Sequence, residues 1–249
     1  MPNVNSTLEK FSAAWTLATG RPLPLLPEPR KIPQDFPVYF PLIGLAVGLA
    51  CALTAWIIVW LFGSFAGSMF SGVLVAFLLE ILTGWRGFNG AALFSARLFP
   101  RAANAPPDKF TAQPMFFGAV IFAVRAILIA SVVQSGGSHW LITVLLCAYF
   151  AREELSAATT PGGGELIKAP DSERRKGAVA GCAMMLLFIL VSRRIWGAAG
   201  LFLLTWLTSW YLVKRSENGT LDFDRRAFDT AAYLIETALL ILTAICIHR

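Results

Sequence analysis

Three arginines and three glycines fall close together in EILTGWRGFNGAALFSARLFPR (80–101): Gly84, Arg86, Gly87, Gly90, Arg97 and Arg101. Arginine forks are planar and permanently charged, and they match phosphate oxygens two at a time. Glycine, lacking a Cβ, lets a backbone come close to a ligand. Holding a phosphorylated substrate is the chemistry this spacing would serve, with Asn89 as a neutral hydrogen-bonding member. Basic residues beside a membrane helix also serve topology alone, so a plain loop stands as the second reading.

Carboxylates form a second group. Glu80 precedes the arginine segment, and Arg152, Glu153 and Glu154 end an apolar run. Glu80, Glu153 and Glu154 at one membrane edge could hold Mg²⁺, which takes a few carboxylates together with substrate phosphate oxygens. Glu153 or Glu154 could instead act as a general base beside Arg152. The plain alternative is a solvated helix end.

The third group is intramembrane. Arg125 and Glu236 each lie within an apolar stretch, where an ionisable side chain is costly and needs a partner. Counting residues at ~1.5 Å rise puts both roughly 14–15 Å deep, and Glu80 only roughly 6 Å deep. A structural ion pair between Arg125 and Glu236, excluding Glu80, is therefore expected.

The elements that must position these groups are membrane helices. Of 249 residues, 56% are hydrophobic and 14% charged, and the mean hydropathy is +0.63. These values belong to a polytopic helical membrane protein. Cysteines 51, 147, 182 and 246 sit in apolar runs without paired spacing, which reads as buried hydrophobes and not a disulfide or zinc site. No cleavable signal peptide is expected, since no apolar core precedes Val38.

Leu8, Phe11, Trp15 and Ala18 recur at helical spacing, with Glu9, Lys10 and Ser12 off that stripe. The pattern predicts a short helix on the membrane surface, with a soluble cap helix as the alternative. The proline-rich segment 21–34 follows as a tether. Residues 1–35 thus read as a cytoplasmic surface helix and tether, and 36–249 as one transmembrane domain. Phe36 to Leu79 carries no charge, too long for one span of ~20 residues. GSFAGS (63–68) is expected to break it. Spans are expected near 38–62, 69–84, 115–135, 139–151, 177–192, 195–213 and 227–247, which makes the fold all-α with about seven transmembrane helices. Most of the 21 basic residues then fall on one side, which makes the N-terminus cytoplasmic. The glycine-rich segment 159–176 lacks the spacing of a nucleotide-binding loop.

Several stretches together resemble the integral-membrane cobalamin synthases, the adenosylcobinamide-GDP ribazoletransferases. VYFPLIGLAVGL (38–49) resembles that family's opening, and LTG (82–84) its entry to the main loop. FFGAV (116–120) followed by Arg125, AYFAREEL (148–155) and IETALLIL (235–242) are similar to later family stretches, the last placing Glu236 on a family glutamate. The resemblance covers about 36–245. Family members carry a histidine and three aspartates after LTG, where this chain has Gly87, Asn89, Leu93 and Ala96, and FTAQPMFFG (110–118) departs as well. Asparagine accepts a hydrogen bond without bringing charge, and leucine and alanine do neither.

The resemblance implies that α-ribazole or its 5′-phosphate is joined to adenosylcobinamide-GDP with release of GMP, at the cytoplasmic (inner) membrane. It implies Mg²⁺ as cofactor, held by Glu80, Glu153 and Glu154 in place of the missing aspartates. Arg86, Asn89, Arg97 and Arg101 would bind the pyrophosphate substrate. Membrane lipid, a second copy of the chain or other corrinoid-assembly enzymes are the expected partners, and nucleic acid is not. Two further readings stand beside the enzyme: an inactive paralogue serving as membrane scaffold or corrinoid-binding partner, and a transporter using the Arg125–Glu236 pair.

Overall fold

The computed structural model describes residues 4–19, 22, 35–85, 87–90, 112–155, 171–191, 195–217 and 225–248. Every regular element among them is helical. α1 spans Val4–Thr19, and a 3₁₀ turn at Phe36–Tyr39 leads into α2 (Phe40–Phe62) and α3 (Ser64–Leu82). After a short helical turn at 87–90 come α4 (Ala112–Gly136), α5 (His139–Leu155), α6 (Asp171–Val191), α7 (Ile195–Glu217) and α8 (Arg225–His248). Among the described residues, 36–62, 64–82, 115–136 and 228–247 are helical stretches long and apolar enough to cross a membrane, and His139–Arg152 is a shorter apolar helix. The chain is a helical membrane protein.

The break after the first span is tighter than the expected six-residue linker. Gly63 alone separates α2 from α3, with φ 79° and ψ 173°, a backbone region open almost only to glycine. Ser64 to Ser68 therefore belong to α3, and the Gly67 N–H donates back to the Gly63 carbonyl at 2.9 Å.

α5 is the centre of the bundle. It packs against α2, α4, α6, α7 and α8, and every residue from Trp140 to Arg152 is buried. An apolar helix without a polar face can be covered on all sides. α2 approaches it through Gly44 and Gly48. A Cβ at Gly44 would lie 2.7 Å from Tyr149 Cβ, and one at Gly48 would lie 2.9 Å from Ile142 Cα. The two glycines, four residues apart, form the small-residue seam that lets membrane helices meet closely. Large side chains on the far faces of α2 and α3, among them Trp56, Trp60, Phe65 and Phe70, are exposed, as a lipid-facing surface requires.

α1 docks by a face that takes in most of the expected stripe and the small residues beside it. Ser12, Ala13, Ala14, Leu17, Ala18 and Thr19 are buried, Phe11 and Trp15 are half-buried, and Leu8 is exposed. Small residues bring the helix close to the 3₁₀ turn and α2, and Phe11 of the stripe packs edge-on against Tyr39 at 6.3 Å. Lys10 Nζ donates to Asp35 Oδ2 at 2.7 Å, and that bond holds the Lys10 ammonium above its ordinary pKa.

α3 ends in a Schellman motif. The Trp85 N–H donates to the Glu80 carbonyl at 2.8 Å and the Gly84 N–H to the Ile81 carbonyl at 3.2 Å, with Gly84 at φ 61°. Trp85 also has a positive φ of 62°, and its ring packs edge-on against Phe77 and Phe88 at 5.6 and 5.9 Å. Gly84→Ala is expected to cost about 1 kcal/mol, the penalty of a Cβ in the left-handed region. A lowered thermal-unfolding midpoint in detergent would show it, and an unchanged midpoint would contradict the motif's role.

Candidate functional site

Four charged side chains from four helices meet inside the bundle. Glu80 ends α3, Arg125 sits midway along α4, Arg152 lies in the last turn of α5, and Glu236 is midway along α8. All are buried, at 1%, 2%, 6% and 2% exposure. Arg125 Nη1 donates to Glu80 Oε1 at 3.1 Å, and Arg125 Nη2 to Glu236 Oε1. The second oxygen of Glu236 accepts from Arg152 Nη2 at 3.4 Å, and Arg152 Nη1 donates to the Ala18 carbonyl of α1 at 3.0 Å. Glu236 thus bridges two arginines, and Arg152 ties the network to the N-terminal helix.

The expected Arg125–Glu236 pair is present, but the exclusion of Glu80 is wrong. Counting depth by residues treats helices as upright and level, whereas membrane helices tilt by about 20° on average. An arginine fork also reaches well beyond its own Cα. Arg125 therefore spans the gap, one guanidinium nitrogen on each carboxylate.

Each arginine also covers a tyrosine ring. Arg125 Cζ lies 4.1 Å from the Tyr233 ring centroid, and Arg152 Cζ lies 4.5 Å from that of Tyr149. Neither tyrosine was among the expected site residues. A signal was present: Tyr149 precedes Arg152, and Tyr233 precedes Glu236, by three residues, a spacing that puts side chains on one helix face. The Ala18 carbonyl had no such signal.

Two charges of each sign cancel in this network. Removing charges from water is costly, and it is offset only when pairing and hydrogen bonding are nearly complete. Here each of the four groups has at least one partner of opposite charge, which Glu80, Arg125 and Glu236 would lack as isolated membrane charges.

The other expected site residues are distributed as follows. Arg86, Arg97 and Arg101 lie outside the described residues. Glu153 and Glu154 are on the last turn of α5, and their side chains lie outside the described set. Asn89 is half-buried in the helical turn 87–90, its N–H on the Trp85 carbonyl at 2.9 Å. Arg152, expected beside Glu153 and Glu154 in the catalytic group, is buried in the network.

Gly87 and Gly90 have a packing role. A Cβ at Gly87 would collide with the Tyr233 ring, and one at Gly90 would lie 2.7 Å from Thr230 Oγ1. The turn therefore sits directly on α8. Phe88 in turn presses on Gly118 of α4, where a Cβ would meet it at 2.8 Å.

Among the described residues no three His, Cys, Asp or Glu side chains converge as a metal site. Glu80 faces a guanidinium, which repels a divalent cation, so Glu80 does not fit the expected Mg²⁺ set. Comparison with protein-family models, curated proteins and solved structures finds no match for this chain.

Proposed function

We propose that the chain is a divergent adenosylcobinamide-GDP ribazoletransferase of the cytoplasmic membrane, crossing it about seven times with its N-terminus in the cytoplasm. One observation carries the reading. Four separate stretches that resemble the family contribute or adjoin one ionisable residue each: Glu80 before LTG, Arg125 after FFGAV, Arg152 in AYFAREEL and Glu236 in IETALLIL. Those four residues form one contact network. Chance likeness in four places gives no reason for such convergence, whereas a shared scaffold does.

In this reading a hydroxyl of α-ribazole or its 5′-phosphate attacks the cobinamide-linked phosphorus of adenosylcobinamide-GDP. The P–O bond to the GMP portion breaks, GMP leaves, and the hydroxyl proton passes to a base. Positioning and charge neutralisation dominate such a reaction. Arg86, Arg97 and Arg101 would neutralise the pyrophosphate, Asn89 would orient it, and Glu153 or Glu154 would accept the proton. Mg²⁺ would fall to Glu153 and Glu154 without Glu80. Arg152 would support α5 from within the network.

The test is adenosylcobalamin formation by membranes containing this protein and no other synthase. Product and GMP are expected in equal amounts, and Glu153→Gln combined with Glu154→Gln is expected to lower turnover at least about 10²-fold, as loss of a general base does. Absence of product from well-folded wild-type protein would overturn the reading.

The commitment of Glu80 to Arg125 favours a second reading, a corrinoid-binding scaffold that has lost catalysis. Saturable binding of adenosylcobinamide-GDP without turnover would establish it.

A further inference from the structure

Glu80 holds more than an ion pair. Its buried carboxylate accepts from Arg125 of α4, from the Tyr233 hydroxyl of α8 and from the backbone N–H of Phe88. Phe88 lies in the helical turn 87–90, so the charge network touches the segment that carries Asn89. Packing fixes the same turn at three further points. Gly87 sits against the Tyr233 ring, Gly90 lies against Thr230 of α8, and the Phe88 ring lies on Gly118 of α4.

These contacts differ in what they specify. Apolar packing is non-directional and leaves a short turn free to slide or rotate. A hydrogen bond to a carboxylate is directional, and stronger than one between neutral groups. Glu80 is itself held by Arg125 and Tyr233, and Arg125 covers the Tyr233 ring. A rigid acceptor thus meets the turn at one backbone atom. Asn89 is the next residue, half-buried, with its own N–H on the Trp85 carbonyl at 2.9 Å. A polar side chain held in this way can orient a ligand without first being ordered.

We propose that Glu80 is a positioning residue: by bonding the Phe88 N–H it sets the 87–90 turn, and with it the placement of Asn89 on the pyrophosphate of the substrate. The substrate step rests on the ribazoletransferase reading, and the clamp on the turn does not. Glu80 acts through the turn and not through Mg²⁺.

Two substitutions separate this role from the ion pair. Glu80→Gln and Glu80→Leu both remove the charge that faces Arg125, but glutamine keeps a carbonyl oxygen for the Phe88 N–H and leucine does not. A merely structural ion pair would make the two variants alike, and both are expected to lower the unfolding midpoint. Amide exchange of the full chain in lipid nanodiscs, without substrate and resolved at single residues, tests the clamp. Phe88 is expected to exchange on the order of ten-fold faster in Glu80→Leu, as loss of one hydrogen bond allows, and near the wild-type rate in Glu80→Gln. Trp85, whose N–H is on the Glu80 backbone carbonyl, is expected to keep its rate. Gly87→Ala loosens the turn while leaving all four charges in place, since its Cβ would strike the Tyr233 ring. Phe88 is expected to exchange faster there too, which decides the matter should Glu80→Leu not fold. Unchanged Phe88 exchange in Glu80→Leu and Gly87→Ala, or equally fast exchange in Glu80→Gln, would overturn the clamp.

Equilibrium binding of adenosylcobinamide-GDP to the same folded variants reads the substrate step. The dissociation constant is expected to rise about ten-fold in Glu80→Leu and Gly87→Ala, and to stay near wild type in Glu80→Gln. Equal affinity in all of them would overturn the placement of Asn89. A wild-type chain that binds none of this substrate would overturn the ribazoletransferase reading and the substrate step together, and the exchange rates would still decide the clamp.

Discussion

Arg125→Ala is expected to destabilise the protein by about 3–5 kcal/mol, the cost of leaving a buried charge without its partner. The substitution strips Glu80 of its only described ion pair and leaves Glu236 with Arg152 alone at 3.4 Å. It also uncovers the Tyr233 ring. Thermal unfolding in detergent, followed by tryptophan fluorescence, measures the loss; a decrease below about 1 kcal/mol would place the arginine among weak exposed pairs and contradict its burial. Because Arg125 serves two carboxylates, exchanging charges with Glu236 alone is not a clean rescue. Arg125→Glu with Glu236→Arg sets the new carboxylate against Glu80, so that double variant is expected to remain destabilised. Adding Glu80→Gln to it is expected to recover part of the loss. Rescue by the double variant alone would mean that Glu80 contributes nothing.

Gly44→Leu and Gly48→Leu are each expected to cost about 1–3 kcal/mol, the usual penalty for forcing volume into a packed interface. Gly44 meets the Tyr149 Cβ and the Leu145 carbonyl, and Gly48 meets the Ile142 backbone. Neither helix can yield without moving α5, which the other helices also grip. The strain at Gly44 reaches the charge network directly, since Tyr149 carries Arg152 on its ring. Gly200→Leu is the control: a Cβ there meets nothing within 4 Å, and the midpoint should stay within the scatter of wild type. If Gly44→Leu were as silent as Gly200→Leu, the α2–α5 seam would be wrong.

The sequence alone carried the membrane-helical class, the approximate positions of the long apolar helices, and the suspicion that Arg125 and Glu236 pair. Those follow from composition and from the high cost of charge in hydrocarbon, which act on each segment separately. It did not carry the single-residue turn at Gly63, because a run of small residues reads alike as linker or as helix. Nor did it carry the full docking face of α1, where buried small residues extend the apolar stripe.

Tertiary structure decided the company of Glu80 and Arg152. Glu80 was assigned by chain position to a solvent edge with Glu153 and Glu154, yet it lies on Arg125. Arg152 was grouped with Glu153 and Glu154 as neighbours in sequence, and from the last turn of α5 it joins Glu236 to the carbonyl of Ala18, 134 residues away in sequence. Helix tilt and side-chain reach set those distances, and both depend on how whole helices pack. A residue's burial cost is written locally in the chain, but the partner that offsets it is chosen by the packed bundle.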